Sequence, residues 1–125
     1  MAVENESSIL IIDDSSTNIR LVSKMVEHLG HKIHIAKNGV QALKLLTQLK
    51  PDVILMDIQM PHMDGFECCQ RIKSVASRAT IPVIFMSGSH DEDDIGKARL
   101  IGAQAYVTKP INPEALIKEI NFHLS

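Results

Sequence analysis

Asp13, Asp14, Asp57, Ser87 and Lys109 are the residues whose types and positions could do chemistry together. Each stands at the end of a short apolar run. Asp13-Asp14 follow Ile9-Leu10-Ile11-Ile12, Asp57 follows Val53-Ile54-Leu55-Met56, Ser87 follows Pro82-Val83-Ile84-Phe85-Met86, and Lys109 lies just past Ala105-Tyr106-Val107. A carboxylate directly after an apolar run is out of place in a core, because an unpaired buried charge is strongly disfavoured. At the carboxyl end of a parallel strand it instead opens into the crevice where α/β sheets bind ligands. Taken singly, Asp57 could be an acid that merely caps a strand.

Three carboxylates brought together repel one another, and an opposite charge must offset this unless one of them takes up a proton. A divalent cation is the obvious partner. Oxygen ligands that are few and form no cage suit Mg²⁺, with Mn²⁺ as the alternative, leaving room for water and substrate oxygens. Lys109 adds a mobile positive charge and Ser87 a donor. Metal, ammonium and hydroxyl are what a phosphoryl group in transit needs on its equatorial oxygens. Asp57, central in sequence and on the most buried strand, is the natural nucleophile and would form an acyl phosphate.

The elements that must position these residues follow from periodicity. The runs ending at Asp13, Asp57 and Ser87 are continuous and rich in β-branched residues, as strands buried on both faces are. Ile33, Ile35 and Ala36 alternate with Lys32 and His34, which predicts a strand at a sheet edge. After Ser15-Ser16-Thr17-Asn18, a set of N-cap candidates, a helical stripe runs through Ile19, Val22, Val26 and Leu29 and stops at Gly30. A second stripe is Val40, Leu43, Leu46 and Leu49, ended by Pro51. A third begins near Gly65 with Phe66, Cys69, Ile72 and Ala76. A fourth follows the acids Asp91 to Asp94 with Ile95, Ala98 and Ile101, and the last follows Asn112-Pro113 with Leu116, Ile117, Ile120 and Leu124. Five strands alternating with five helices specify a doubly wound α/β fold, a parallel sheet with helices on both faces. Every polar strand end then falls along one edge.

The 125 residues make one domain by length, with residues 1–7 expected as a flexible extension. A net charge of -2 with basic residues spread along the chain lacks the footprint of a nucleic-acid binder, and 3% aromatic residues provide no stacking platform. No apolar run approaches the ~18 residues that span a membrane, and the polar, acidic start resembles no signal peptide. Cys68 and Cys69 are adjacent, so a bridge between them would be strained; they read as core and boundary residues in a reduced, cytoplasmic setting. The six histidines form no i, i+4 helical pair that would suggest a metal site. The acids at 91–94 suit a helix amino terminus rather than a metal.

These motifs, in this order, resemble the receiver domain of two-component response regulators over essentially the whole chain. The resemblance is carried by Asp13-Asp14, the loop Asp57-Ile58-Gln59-Met60-Pro61-His62-Met63-Asp64-Gly65, the step Ser87-Gly88, Tyr106 and the pair Lys109-Pro110. It implies a flavodoxin-like five-stranded sheet of order 2-1-3-4-5, and phosphorylation of Asp57 by a sensor histidine kinase or histidine phosphotransfer protein. It further implies Mg²⁺ on Asp14, Asp57 and the backbone carbonyl of Gln59, with Asp13 acting through water, and a cis Lys109-Pro110 peptide. Ser87 and Tyr106 would be the switch residues, altering the face of the fourth helix, fifth strand and fifth helix for a phosphorylation-dependent homodimer or downstream effector. Tyr106 could equally be a half-buried ring with its hydroxyl in water. Receivers more often carry threonine at the position of Ser87 and alanine at that of Gly88; here a hydroxyl and a small neighbour remain.

Three other readings fit less well. A flavodoxin-like nucleotide or flavin binder would need a glycine-rich loop where Asp13-Asp14-Ser15-Ser16 stands, and acids there repel phosphate. An aspartate-based phosphatase shares the nucleophile, metal and lysine but has a lid insertion that nothing here resembles, so turnover of an external substrate is not expected. A degenerate receiver would be expected to lack Asp14, Asp57 or Lys109. The tail stops where a linker would begin, which favours an amino-terminal domain excised from a longer regulator over a stand-alone relay.

Overall fold

The computed structural model describes residues 7–89 and 91–124. Among them, β1 (Ser8–Ile12), β2 (Lys32–Ala36), β3 (Val53–Asp57), β4 (Val83–Ser87) and β5 (Ala105–Thr108) form one parallel sheet in the order 2-1-3-4-5. Five helices alternate with them: α1 (Ser16–Val26), α2 (Gly39–Leu45), α3 (Gly65–Lys73), α4 (Glu92–Leu100) and α5 (Pro113–Leu124). Of the expected flexible extension, only Ser7 is among the described residues, and its carbonyl accepts the Lys32 N–H at 2.9 Å.

The alternation of side chains along each strand divides the core in two. On one face Leu10, Ile12, Ile54, Met56 and Phe85 meet Ala42 of α2, Phe66, Cys69 and Ile72 of α3, and Ala98 of α4. On the other, Ile9, Ile11, Leu55, Ile84 and Met86 meet Ile19, Val22 and Val26 of α1 and Leu116 and Ile120 of α5. Burial on both faces is why β1, β3 and β4 read as unbroken apolar runs rather than alternating ones. β2 pairs only with β1 and is the edge that its mixed sequence predicts. Ile35 is nevertheless 45% exposed, because no strand covers the outer margin of β2.

Helix boundaries differ from the expected stripes in three places. The first stripe is cut at Val26, after which Glu27–Leu29 tightens into a 3-10 turn and Gly30 adopts φ 82°. In α2 Gly39 and Ala42 are buried and Leu43 packs partly against the core, with Leu46 buried just past the helix end, while Val40 is 66% exposed. The glycine edge of the helix lies close against Met63, where a Cβ on Gly39 would be 2.5 Å from Met63 Sδ, and Val40 points outward. α3 ends at Lys73, leaving Ala76 exposed. Side chains take over the carbonyls that another turn of helix would use. Arg78 donates to Ile72 O and Arg71 O at 3.1 and 3.0 Å, and Ser74 Oγ donates to Arg71 O at 2.7 Å. Lys73 Nζ then ties the following loop through Ala79 O and Ile81 O. Both cysteines are fully buried and unbridged.

Candidate functional site

Backbone pairing carries the site past the ends of the strands. Asp13 N–H donates to Ala36 O at 3.1 Å, Ile58 N–H to Met86 O at 3.4 Å, and Lys109 N–H to Ser87 O at 2.7 Å, so the end of β1 is locked to that of β2, and the ends of β3 and β5 to that of β4. Asp57 is in register with Met86, and Ser87 with Thr108. Asp13, Asp57 and Lys109 continue the alternation of Ile11, Leu55 and Val107, which places all three on the α1/α5 side of the sheet edge. Ser87 and Tyr106 continue the opposite alternation, on the side of α4.

The structure brings the acids together as expected. One carboxylate oxygen from each of Asp13, Asp14 and Asp57 lies within 4.8 Å of the others. Asp13 and Asp57 are buried and Asp14 is exposed. Lys109 Nζ donates to Asp57 Oδ1 at 3.0 Å, a single ammonium set against three carboxylates. Asp13 Oδ1 accepts the Ser15 N–H at 2.9 Å, but Asp13 Oδ2 is buried without a hydrogen-bond partner. Burial pushes the Asp13 acid above its ordinary value of 3.8, and the charges of Asp57 and Asp14 push the same way, against the Ser15 N–H and Lys109. A buried carboxylate oxygen with no donor, beside two more acids, fits a cation with hard oxygen ligands. Gln59 stands two residues past Asp57 in the β3–α3 loop with an exposed side chain.

The loop after Asp57 is held by its own backbone. Gly65 N–H donates to Ile58 O at 2.8 Å, and a Cβ at Gly65 would lie 2.5 Å from Asp57 O and 2.7 Å from Ile58 Cα. The sequence marks Asp64-Gly65 only as a turn and helix start. Asp64 does cap α3, accepting the Glu67 N–H at 2.9 Å, but the glycine is needed because the helix start rests directly on the backbone of Asp57. His62, at φ 70°, is a second feature that sequence patterns do not disclose.

On the α4 side, Ser87 is buried and its Oγ accepts the Ser89 N–H at 3.1 Å. The Tyr106 ring is part-buried and its hydroxyl donates to Ser89 O at 3.2 Å, so the reading of a hydroxyl left in water does not hold. The Lys109-Pro110 peptide is cis. Beside Lys109 a cavity of about 220 Å³ is lined by Asp13, Val22, Met25, Met86 and Pro110 among others.

A family model described as the response regulator receiver domain matches residues 9–121. The chain belongs to this family. As a receiver domain it is 41% identical over 113 residues to Protein PilH of Pseudomonas aeruginosa, covering 90% of this chain and 93% of PilH. It is 33% identical over 117 residues to the polar-differentiation response regulator DivK of Brucella anthropi, covering 94% of this chain and 95% of DivK. In structure it is similar to the Vibrio cholerae chemotaxis protein CheY4, with TM-score 0.89 and 27% identity over 95% of this chain and 99% of that one. It is also similar to the signal receiver domain of a DNA binding response regulator from Colwellia psychrerythraea, with TM-score 0.88 and 39% identity over 94% and 97% of the two chains. The receiver therefore serves phosphorelay signal transduction. Receiver domains take phosphoryl groups from histidine kinases or phosphotransfer proteins and bind Mg²⁺ at an acidic pocket, here represented by Asp13, Asp14 and Asp57. Among the described residues no helix is long and apolar enough to cross a membrane.

Proposed function

We propose that Asp57 is the phosphoryl acceptor of this receiver, that Asp13, Asp14, Asp57 and the Gln59 carbonyl hold Mg²⁺, and that Ser87 and Lys109 assist the transfer. The observation that carries this reading is the buried Asp57 carboxylate, paired with Lys109 at 3.0 Å inside a cluster of acids with an unpartnered Asp13 oxygen. A carboxylate oxygen of Asp57 attacks phosphorus and forms the new O–P bond, while the P–N bond to the donor imidazole breaks and its electron pair returns to the ring nitrogen. When bound, the cation would neutralise charge on the acids and on the oxygens of the phosphoryl group. Lys109, already beside Asp57, can follow an incoming phosphoryl oxygen. Ser87 Oγ accepts from Ser89, which leaves its O–H free to donate to another. The apolar recess beside Lys109 gives the donor side chain an approach to the acids.

The chain then acts on its own carboxylate rather than turning over an external substrate, as a unit spanning residues 1–125 in the cytoplasm. Phosphorylation adds about -1.5 to -2 charge at Asp57. Reversing a two-state equilibrium from about 1:99 to 99:1 requires roughly 5.5 kcal/mol of differential interaction. Two or three charge-assisted hydrogen bonds from Ser87 and Lys109, at about 1.5–3 kcal/mol each, supply about 3–9 kcal/mol, a range that spans this requirement. The readout is the face of α4, β5 and α5, through Ser87 and Tyr106, toward an effector or a second copy of the chain.

Incubation with a small acyl phosphate and Mg²⁺ tests the assignment. Intact-protein mass spectrometry should find one added phosphoryl group, lost on mild base treatment and absent from Asp57→Asn. Unchanged labelling of Asp57→Asn would overturn the assignment.

A further inference from the structure

Ser89 lies outside the cluster of acids, yet it bonds in four directions. Its N–H donates to Ser87 Oγ at 3.1 Å, and its carbonyl accepts the Tyr106 hydroxyl at 3.2 Å. Its own hydroxyl accepts the Asp91 N–H at 3.1 Å and donates to Asp94 Oδ2 at 2.8 Å. Asp91 is the N-cap of α4, and its carbonyl accepts the Ile95 N–H at 3.1 Å, the first turn of that helix. One residue thus touches the hydroxyl proposed to meet the phosphoryl group, the tyrosine of β5 and the amino end of α4.

We infer that Ser89 is a positioning residue that divides the movement of Ser87 into two separable branches, a backbone branch to Tyr106 and a hydroxyl branch through Asp94 to the first turn of α4. The inference rests on the proposed role of Asp57 and Ser87. Ser87 cannot swing toward Asp57 without either breaking its bond to the Ser89 amide or drawing that amide with it. Because the tyrosine is held by the Ser89 carbonyl and α4 by its side chain, the two responses part at a single Cα. The helix end has a particular need for this tether. Asp91, Glu92, Asp93 and Asp94 crowd four acids into its start, and its interior buries only Ala98, so core packing alone holds α4 weakly. A charge-assisted bond from Ser89 to Asp94 counts for more on such a helix than on one with a broad apolar face.

The chain contains one tyrosine and no tryptophan, so its intrinsic fluorescence reports Tyr106 alone. The experiment compares this signal with amide exchange at Ile95, before and after treatment with a small acyl phosphate and Mg²⁺, with uptake counted by intact mass. Ser89→Ala retains the Ser87 and Tyr106 bonds, which are made by its backbone, and loses both hydroxyl bonds. It should take up the phosphoryl group and keep the phosphorylation-dependent fluorescence change, while Ile95 exchanges on the order of tenfold faster in the unphosphorylated chain and loses its response to phosphorylation. Asp94→Ala should reproduce this pattern, and Ser89→Thr, which restores the hydroxyl, should restore the Ile95 response. Tyr106→Phe, which removes the fluorescent ring together with its bond to Ser89, should leave the Ile95 response in place. A full Ile95 response in Ser89→Ala, or fluorescence and exchange responses lost together, would overturn the inference while leaving Asp57 as acceptor. No uptake by the unsubstituted chain would overturn the reading of Asp57 and this inference with it.

Discussion

The Lys109 ammonium lies 3.0 Å from Asp57 Oδ1, although the two residues are 52 positions apart and leave strands separated by β4. In the absence of a cation this pair offsets part of the repulsion among three acids. Lys109→Ala should therefore leave Mg²⁺ affinity intact or raise it, since the ammonium competes with the metal for the same field. Asp14→Ala should weaken Mg²⁺ binding, and more than Asp13→Ala does if Asp13 acts through water. Calorimetric titration with Mg²⁺ measures all three. Equal losses in the Lys109 and Asp14 variants would show that the roles are wrongly divided.

Asp13 should make the metal-free chain less stable at neutral pH. Its acid is raised above 3.8 chiefly by burial, so the folded chain binds this proton more tightly than the unfolded chain does. The cost of the charge is present above the folded value, is relieved as pH falls through it, and is gone below the ordinary value. Asp13→Asn should thus stabilise the metal-free chain at pH 7, because the amide leaves no charge to be buried. The gain should vanish as pH falls below the ordinary carboxylate range. Thermal melts of the two chains across pH measure this, and saturating Mg²⁺ should reverse the sign by stabilising only the acid.

Gly65→Ala should destabilise the fold or displace the acceptor loop. The new Cβ would meet Asp57 O and Ile58 Cα, which are backbone atoms of a central strand end and cannot swing aside as a side chain can. Overpacking of this kind costs about 1–3 kcal/mol, occasionally more. Urea unfolding gives the loss of stability. Phosphoryl uptake by the folded fraction should fall as well, whereas Gly88→Ala, with nothing within 4 Å of its Cβ, should change stability little.

Neither cysteine should react with a thiol reagent at pH 8 while the chain is folded. Burial pushes the Cys68 thiol up to about 12, helped by neighbouring Cys69, and burial pushes Cys69 up to about 11 despite Lys73. Modification should proceed only as fast as the fold opens and become immediate in denaturant. Rapid labelling of either thiol in the native chain would place that residue at the surface.

The five strands and the strand-end chemistry were legible in the chain because both depend on local signals, whereas the order 2-1-3-4-5 entered only through the resemblance to receiver domains. An apolar β-branched run stops where a polar residue begins, and a parallel sheet delivers every such stop to one edge. That geometry brings Asp13, Asp14, Asp57, Ser87 and Lys109 to one edge, and the order of the strands with the direction of each side chain then sets the contacts of Lys109 with Asp57 and of the three acids with one another. Which side chain turns inward on a short helix is not legible in this way. Val40 fits an apolar stripe at least as well as Gly39 does, yet Gly39 is buried close to Met63 and Val40 is exposed, while Leu43 packs partly against the core as its stripe expects. The partnerless oxygen of Asp13, the contact of Gly65 with the Asp57 backbone and the four bonds of Ser89 likewise arise between segments distant in sequence or from the directions of individual lone pairs. Hydrophobic periodicity specifies which faces are buried to within a turn of helix. The choice among neighbouring rotations, and the partner of each polar atom, is made by close packing, which acts over tenths of an ångström and exists only once the segments have met.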